Sequence, residues 1–112
     1  MIEEKIKDIF EKNGIRCFLT DQNDIAEYVV ISKTNDYPED GLWTATFDVD
    51  IYADTLYKAS LLAEKVKTII LNVDFNNNDS ISKIMINSLY KNNDLTKKKY
   101  RYYCDFDCFY IE

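Results

Sequence analysis

The chain has 112 residues, 20 acidic against 14 basic side chains, a net charge of -6 and no histidine. A surface of that sign is not built to grip nucleic acid, because such binding rests on phosphate neutralisation by Lys and Arg, and it does not exclude a protein that lets DNA pass without holding it. Hydrophobic residues at 46% and charged residues at 30% are ordinary for a folded chain of this length, which suits a single domain spanning 1–112.

The opening "MIEEKIKDIF" is acidic and amphipathic, so it reads as a first helix with Ile2, Ile6, Ile9 and Phe10 on one face rather than as a signal peptide. No run approaches the apolar length that crosses a bilayer, and the expected compartment is the cytoplasm. Asn13-Gly14 ends the helix, since glycine readily takes the left-handed conformation there. "IRCFLT" (15–20) reads as a short strand, "DQND" (21–24) as a loop, and "EYVVISKT" (27–34) as a strand with apolar groups on both faces. "NDYPEDG" (35–41) holds the only proline and reads as a loop. Its Tyr37, Pro38, Glu39 and Asp40 are candidates for an assembly contact that orders when subunits meet.

The next segment changes period with almost no turn. Trp43, Ala45, Phe47, Val49 and Ile51 alternate with Thr44, Thr46, Asp48, Asp50 and Tyr52, which predicts a strand over 42–53. Leu56, Ala59, Ala63, Val66 and Ile70 then recur at helical spacing, which predicts a helix over 55–71 with Asp54 as its N-cap. An asparagine-rich stretch (72–80) follows, with Phe75 expected as a core anchor, then a strand (81–90), a turn, and a long last strand. In that strand Tyr100, Tyr102, Cys104, Phe106, Cys108 and Tyr110 fall on one face and Arg101, Tyr103, Asp105, Asp107, Phe109 and Ile111 on the other. The order predicts an α+β fold, a mostly antiparallel sheet with one long helix and a short N-terminal helix packed on one face.

Cys17, Cys104 and Cys108 read as small buried hydrophobes. Cys104 and Cys108 would stand about 13 Å apart on one strand, too far for a disulfide, and no histidine is present to complete a metal site. Asp48 and Asp50 share a face, as do Asp105 and Asp107. If their strands are neighbours, the four carboxylates form one acidic patch, either a divalent-metal site for phosphoryl transfer or a solvated polar face. Like charges side by side repel, so compensation by Lys, Arg or a neighbouring subunit is expected. The rest of the catalytic vocabulary is thin. The usual general base is missing, two glycines make no phosphate cradle, and "KKK" (97–99) reads as a solvated strand entrance.

Nearly the whole chain resembles the tail terminator (tail-completion) proteins of long-tailed bacteriophages and prophage-derived particles. The residues that carry the resemblance are the first helix, "EYVVISKT", the phrase Val49-Asp50-Ile51-Tyr52-Ala53 running into Ala59-Ser60-Leu61-Leu62-Ala63-Glu64-Lys65-Val66, and "RYYCDF" in the last strand. The resemblance implies a structural protein without enzymatic activity or cofactor. It implies a hexameric ring that caps the tail tube, meets the major tail tube protein and the head-tail connector, and moves from host cytoplasm into the virion tail. On that reading Asp48, Asp50, Asp105 and Asp107 would face the channel. Tyr103, Phe109 and Ile111 would form a subunit interface, with Arg101 reaching a neighbour's Asp48 or Asp50. The alternatives are a small acidic adaptor or inhibitor and, further off, a metal-dependent phosphoryl-transfer enzyme.

Overall fold

Both kinds of periodicity produce the element they announce. The computed structural model describes residues 2–22, 25–72, 81–92 and 99–111, and of Glu39 the backbone alone. Its order is α1 (Ile2–Lys12), β1 (Cys17–Phe18), β2 (Tyr28–Glu39), β3 (Leu42–Ala53), α2 (Leu56–Leu71), β4 (Ile81–Lys91) and β5 (Tyr100–Tyr110). The fold is α+β. Its five strands form one sheet in the order β1-β2-β3-β5-β4, antiparallel except for the two-residue β1, which runs parallel to β2. The expected Phe75 anchor, Lys97 and Lys98 lie outside the described residues.

Strand alternation decides what the sheet buries. On β3, Ala45, Phe47, Val49 and Ile51 have no exposed surface, and on β5 neither have Cys104, Phe106 and Cys108. The register sets Phe47 opposite Phe106 and Val49 opposite Cys104, and the two phenyl rings stack with centroids 5.4 Å apart. The same buried cluster takes in Ile2, Ile6 and Phe10 of α1 and Ala63, Val66, Ile69 and Ile70 of α2. Losing either phenyl ring to alanine would cost about 3–5 kcal/mol, because a ring-sized void in a packed core closes only partly. The three cysteines are free and buried, and burial pushes each thiol up to about 12.

Helix ends follow local hydrogen bonding. Gly14 has φ +82°, and the Ile15 and Gly14 amides donate back to the Phe10 and Glu11 carbonyls, closing α1 in a Schellman turn. At α2 the expected cap is corrected by one residue. Thr55, not Asp54, is the N-cap, and its hydroxyl accepts from the Lys58 amide at 3.1 Å. Asp54 instead lies 3.7 Å from the Lys99 ammonium. Leu56, placed in the apolar stripe by its spacing, is exposed at 42%, because the first turn of the helix projects beyond the core.

The segment 35–41 is also corrected from loop to hairpin. β2 continues through Asn35, Asp36, Tyr37 and Pro38 to Glu39, and only Asp40 and Gly41 turn, with φ of +51° and +82°. Two successive positive φ values suit the right-handed twist of a two-residue hairpin, and Asp-Gly is a preferred pair for it. Pro38 is tolerated because β1 pairs only with Val29 and Val30, so this half of β2 is a sheet edge. A register shift between Lys33 and Asn35 makes Thr34 an extra residue. It turns Asp36 to the core side, where its carboxylate accepts from Tyr110 at 2.8 Å and from Lys33 at 2.9 Å. Burial acts to raise the Asp36 pKa, but these two hydrogen bonds hold it below its ordinary value.

The cap assignment has a direct test in thermal or urea unfolding. Thr55→Ala is expected to lower stability by about 1 kcal/mol. Asp54→Ala, which removes an exposed carboxylate from a lysine that keeps the Ile25 carbonyl and the Tyr28 ring, is expected to change it by less than about 0.5 kcal/mol.

Candidate functional site

The face of the sheet opposite the core carries the chemistry. Moving across it, Ser32 of β2 lies opposite Asp48 of β3, Asp48 opposite Asp105 of β5, and Asp105 opposite Ser88 of β4. One rung to one side, Thr46 lies opposite Asp107; one rung to the other, Asp50 lies opposite Tyr103. β3 and β5 are neighbours, and all four carboxylates fall on one face.

Compensation comes mainly from hydroxyl groups. Tyr103 donates to Asp48 at 2.5 Å, Thr46 donates to Asp107 at 2.8 Å, and Ser88 donates to Asp105. The one cation among these contacts is Arg101, whose Nε lies 3.8 Å from Asp50. Each carboxylate thus has a partner in its own chain. Hydrogen bonds to charged acceptors contribute about 1.5–3 kcal/mol, enough to offset the repulsion between exposed like charges. Burial, and then the hydrogen bond to the Asp48 carboxylate, push the Tyr103 phenol well above its ordinary pKa, so it remains a donor. Arg101, expected to reach a neighbouring subunit's Asp48 or Asp50, also has partners within its own chain. Its Nε is directed to its own Asp50 and to the Asn92 carbonyl, at 3.0 Å.

The candidate interface residues are interleaved with the acids. Tyr103 and Phe109 are half-buried on the same face, and the Tyr103 ring lies 5.1 Å from that of Tyr90. Ile111 stands beyond the end of β5 and is 56% exposed. Tyr37, Pro38 and Asp40 are exposed at the hairpin end. The sequence did not single out Ser88 or Thr46. Their signal was positional, since each lies on the same alternating face as the acids, but the partners depend on which strands adjoin.

The two ends of this face differ. At one end Tyr28 and Tyr52 are buried and stacked at 5.0 Å, and the Tyr28 hydroxyl donates to the Gln22 carbonyl at 2.6 Å. Lys99 lies over the Tyr28 ring at 5.1 Å and donates to the Ile25 carbonyl, so this lysine is an anchor rather than part of a solvated basic run. At the other end Thr44 is 1% exposed, and its hydroxyl has no hydrogen-bond partner among the described residues. A separate cleft of about 420 Å³, lined by Gly14, Arg16, Glu27, Leu61 and Lys65, holds none of the four acids.

Among the described residues no group of three or more His, Cys, Asp or Glu side chains is arranged to hold a metal ion, and no helix is long and apolar enough to cross a membrane. No family model matches the chain, and no curated protein matches it.

Two substitutions probe the face. In a double-mutant cycle of Tyr103→Phe with Asp48→Asn, unfolding measurements are expected to give a coupling of about 1–2 kcal/mol. Thr44→Val, which replaces an unpartnered buried hydroxyl by a methyl of the same shape, is expected to leave stability unchanged or raise it by about 1 kcal/mol.

Proposed function

We propose that the chain is a structural subunit of a ring of the tail-terminator kind, which closes a tail tube and leaves a passage for DNA, and that it has no enzymatic activity. The observation that carries this reading is the fixed acidic face. Its four carboxylates are held by the chain's own hydroxyls and one arginine, and among the described residues no group of metal-ligating side chains gathers on them. A negative wall of this kind repels a phosphate backbone, which suits a conduit better than a binding site. The resemblance of the sequence supplies the architecture: a hexamer, with the tail tube protein on one side and the head connector on the other. In this reading both helices cover the sheet's core side and the acidic face looks into the channel.

A second reading, a small acidic adaptor, draws on α2. Tyr57 and Leu61 lie one turn apart and are 73% and 53% exposed, an apolar pair on the helix surface that a partner protein could cover.

Sedimentation across a range of protein and salt concentrations separates the two. A ring of acidic subunits closes against like-charge repulsion, so salt is expected to promote assembly, with a screening length of about 10 Å near 0.1 M. Asp48→Asn with Asp50→Asn is expected to assemble at lower salt than wild type. A chain that stays monomeric at every concentration and salt overturns the ring and favours the adaptor.

A further inference from the structure

If the acidic face looks into a channel, subunits must meet through other surfaces, and the sheet has two edges that differ in kind. β4 forms one edge. The Asn92 amide donates to the Arg101 carbonyl, which shows that the odd residues of β5 turn their backbone groups toward β4. Their partners Lys83, Met85, Ser88 and Tyr90 therefore hold the ladder. Alternation on either side of the extra residue Asn87 directs the N–H and C=O of Ile84, Leu89 and Lys91 outward. This edge has its full set of donors, no proline and no acid, and its only charges are Lys83 and Lys91. Lysines and a bulge guard such an edge against indiscriminate pairing, and its free donors suit a strand that brings negative charge.

The other edge is β2 beyond the reach of β1. Glu39 pairs with Leu42 across the two-residue turn, so Asp36 and Pro38 direct their backbone groups outward. Pro38 has no N–H, and the Asp36 amide already donates to the Asn35 side-chain oxygen at 3.0 Å. Beyond the extra residue this edge is poor in donors but keeps its carbonyls, Ile31 and Lys33 before it direct their amides outward by alternation, and it ends in the acidic pair Glu39 and Asp40. Two β2 edges leave each acidic turn without a strand that is rich in lysine, and two β4 edges bring together strands that carry only positive charge. A β4 edge supplies the donors that the Pro38 end lacks and the positive charge that complements Glu39 and Asp40.

We propose that the β4 edge takes the β2 edge of a second copy, head to tail, so that the sheet runs on from subunit to subunit; that such a chain closes rests on the ring reading above. The directions agree. β2 and β4 run in opposite senses within one sheet, since β2 and β5 are both antiparallel to β3 and β4 is antiparallel to β5. A following copy in the same orientation therefore pairs antiparallel. Centring residues 31–39 on β4 brings Glu39 and Asp40 beside Lys83. This is a heterologous contact, one patch meeting a different patch, as a cyclic ring requires.

A charge exchange tests the contact, with each variant's fold checked by circular dichroism. Lys83→Glu alone, and Glu39→Lys with Asp40→Asn alone, are each expected to raise the concentration for half-assembly at low salt about tenfold, because like charges then face each other. Asparagine keeps the positive φ of the turn accessible. An equimolar mixture of the two variants is expected to assemble like wild type, since every contact regains opposite charges. Ile84→Pro, which removes an outward donor, is expected to weaken assembly about tenfold beyond Ile84→Ala, which removes only the side chain. Rings that form from both charge variants as from wild type overturn the edge contact and leave the ring reading standing. Impaired variants that the mixture does not restore also overturn it. Open filaments with restoration by mixing uphold the edge contact and overturn the closed ring. A wild type that never associates overturns both.

Discussion

The stacking of Phe47 on Phe106 sets where the charges of this protein must lie. Side chains alternate along a strand, so seating these rings in the core places Asp48 directly opposite Asp105 on the other face. A slip of one residue would relieve the carboxylates and expose the phenyl rings. Burial of rings that size contributes more than exposed like-charge repulsion takes away. The core thus dictates the acidic face, and the hydroxyls of Tyr103, Ser88 and Thr46 make it tolerable.

This dependence explains why the compensation is built from neutral donors. Lysines between the acids would have cancelled the field as well as the repulsion. Phenol, serine and threonine hydroxyls satisfy carboxylate lone pairs and leave the net charge in place. Arg101 is the exception, at the end of β5 beside Asp50. A face arranged in this way keeps its sign while its side chains are held in position.

The sequence showed the elements whose signal repeats. Alternation over 43–51 and over 100–110 located β3 and β5 and sorted their faces, and the helical stripe located α2 apart from Leu56. Signals carried by a single residue were less legible. Asp54 and Thr55 are both acceptable caps, and only the backbone shows that the Thr55 hydroxyl reaches the Lys58 amide. Asp40-Gly41 is a hairpin signal, but Pro38 two residues earlier argued against a strand. That argument weakens once the strand is known to be an edge, which is a property of the whole sheet. The partners of the four acids were hidden for the same reason. Ser88 is 17 residues from Asp105 and Tyr103 is 55 from Asp48, and no local pattern announces such pairs.

The extra residue at Thr34 bears on how relatives of this chain should be compared. Before it, even-numbered residues of β2 share the acidic face; after it, odd-numbered ones do. A homologue without the insertion would keep the same hairpin but shift its residue pattern by one position from 35 onward. An alignment that spreads this difference along the strand would match Asp36, which accepts from Tyr110, with a residue on the opposite side of the sheet. A single gap at position 34 keeps each side chain with its structural counterpart.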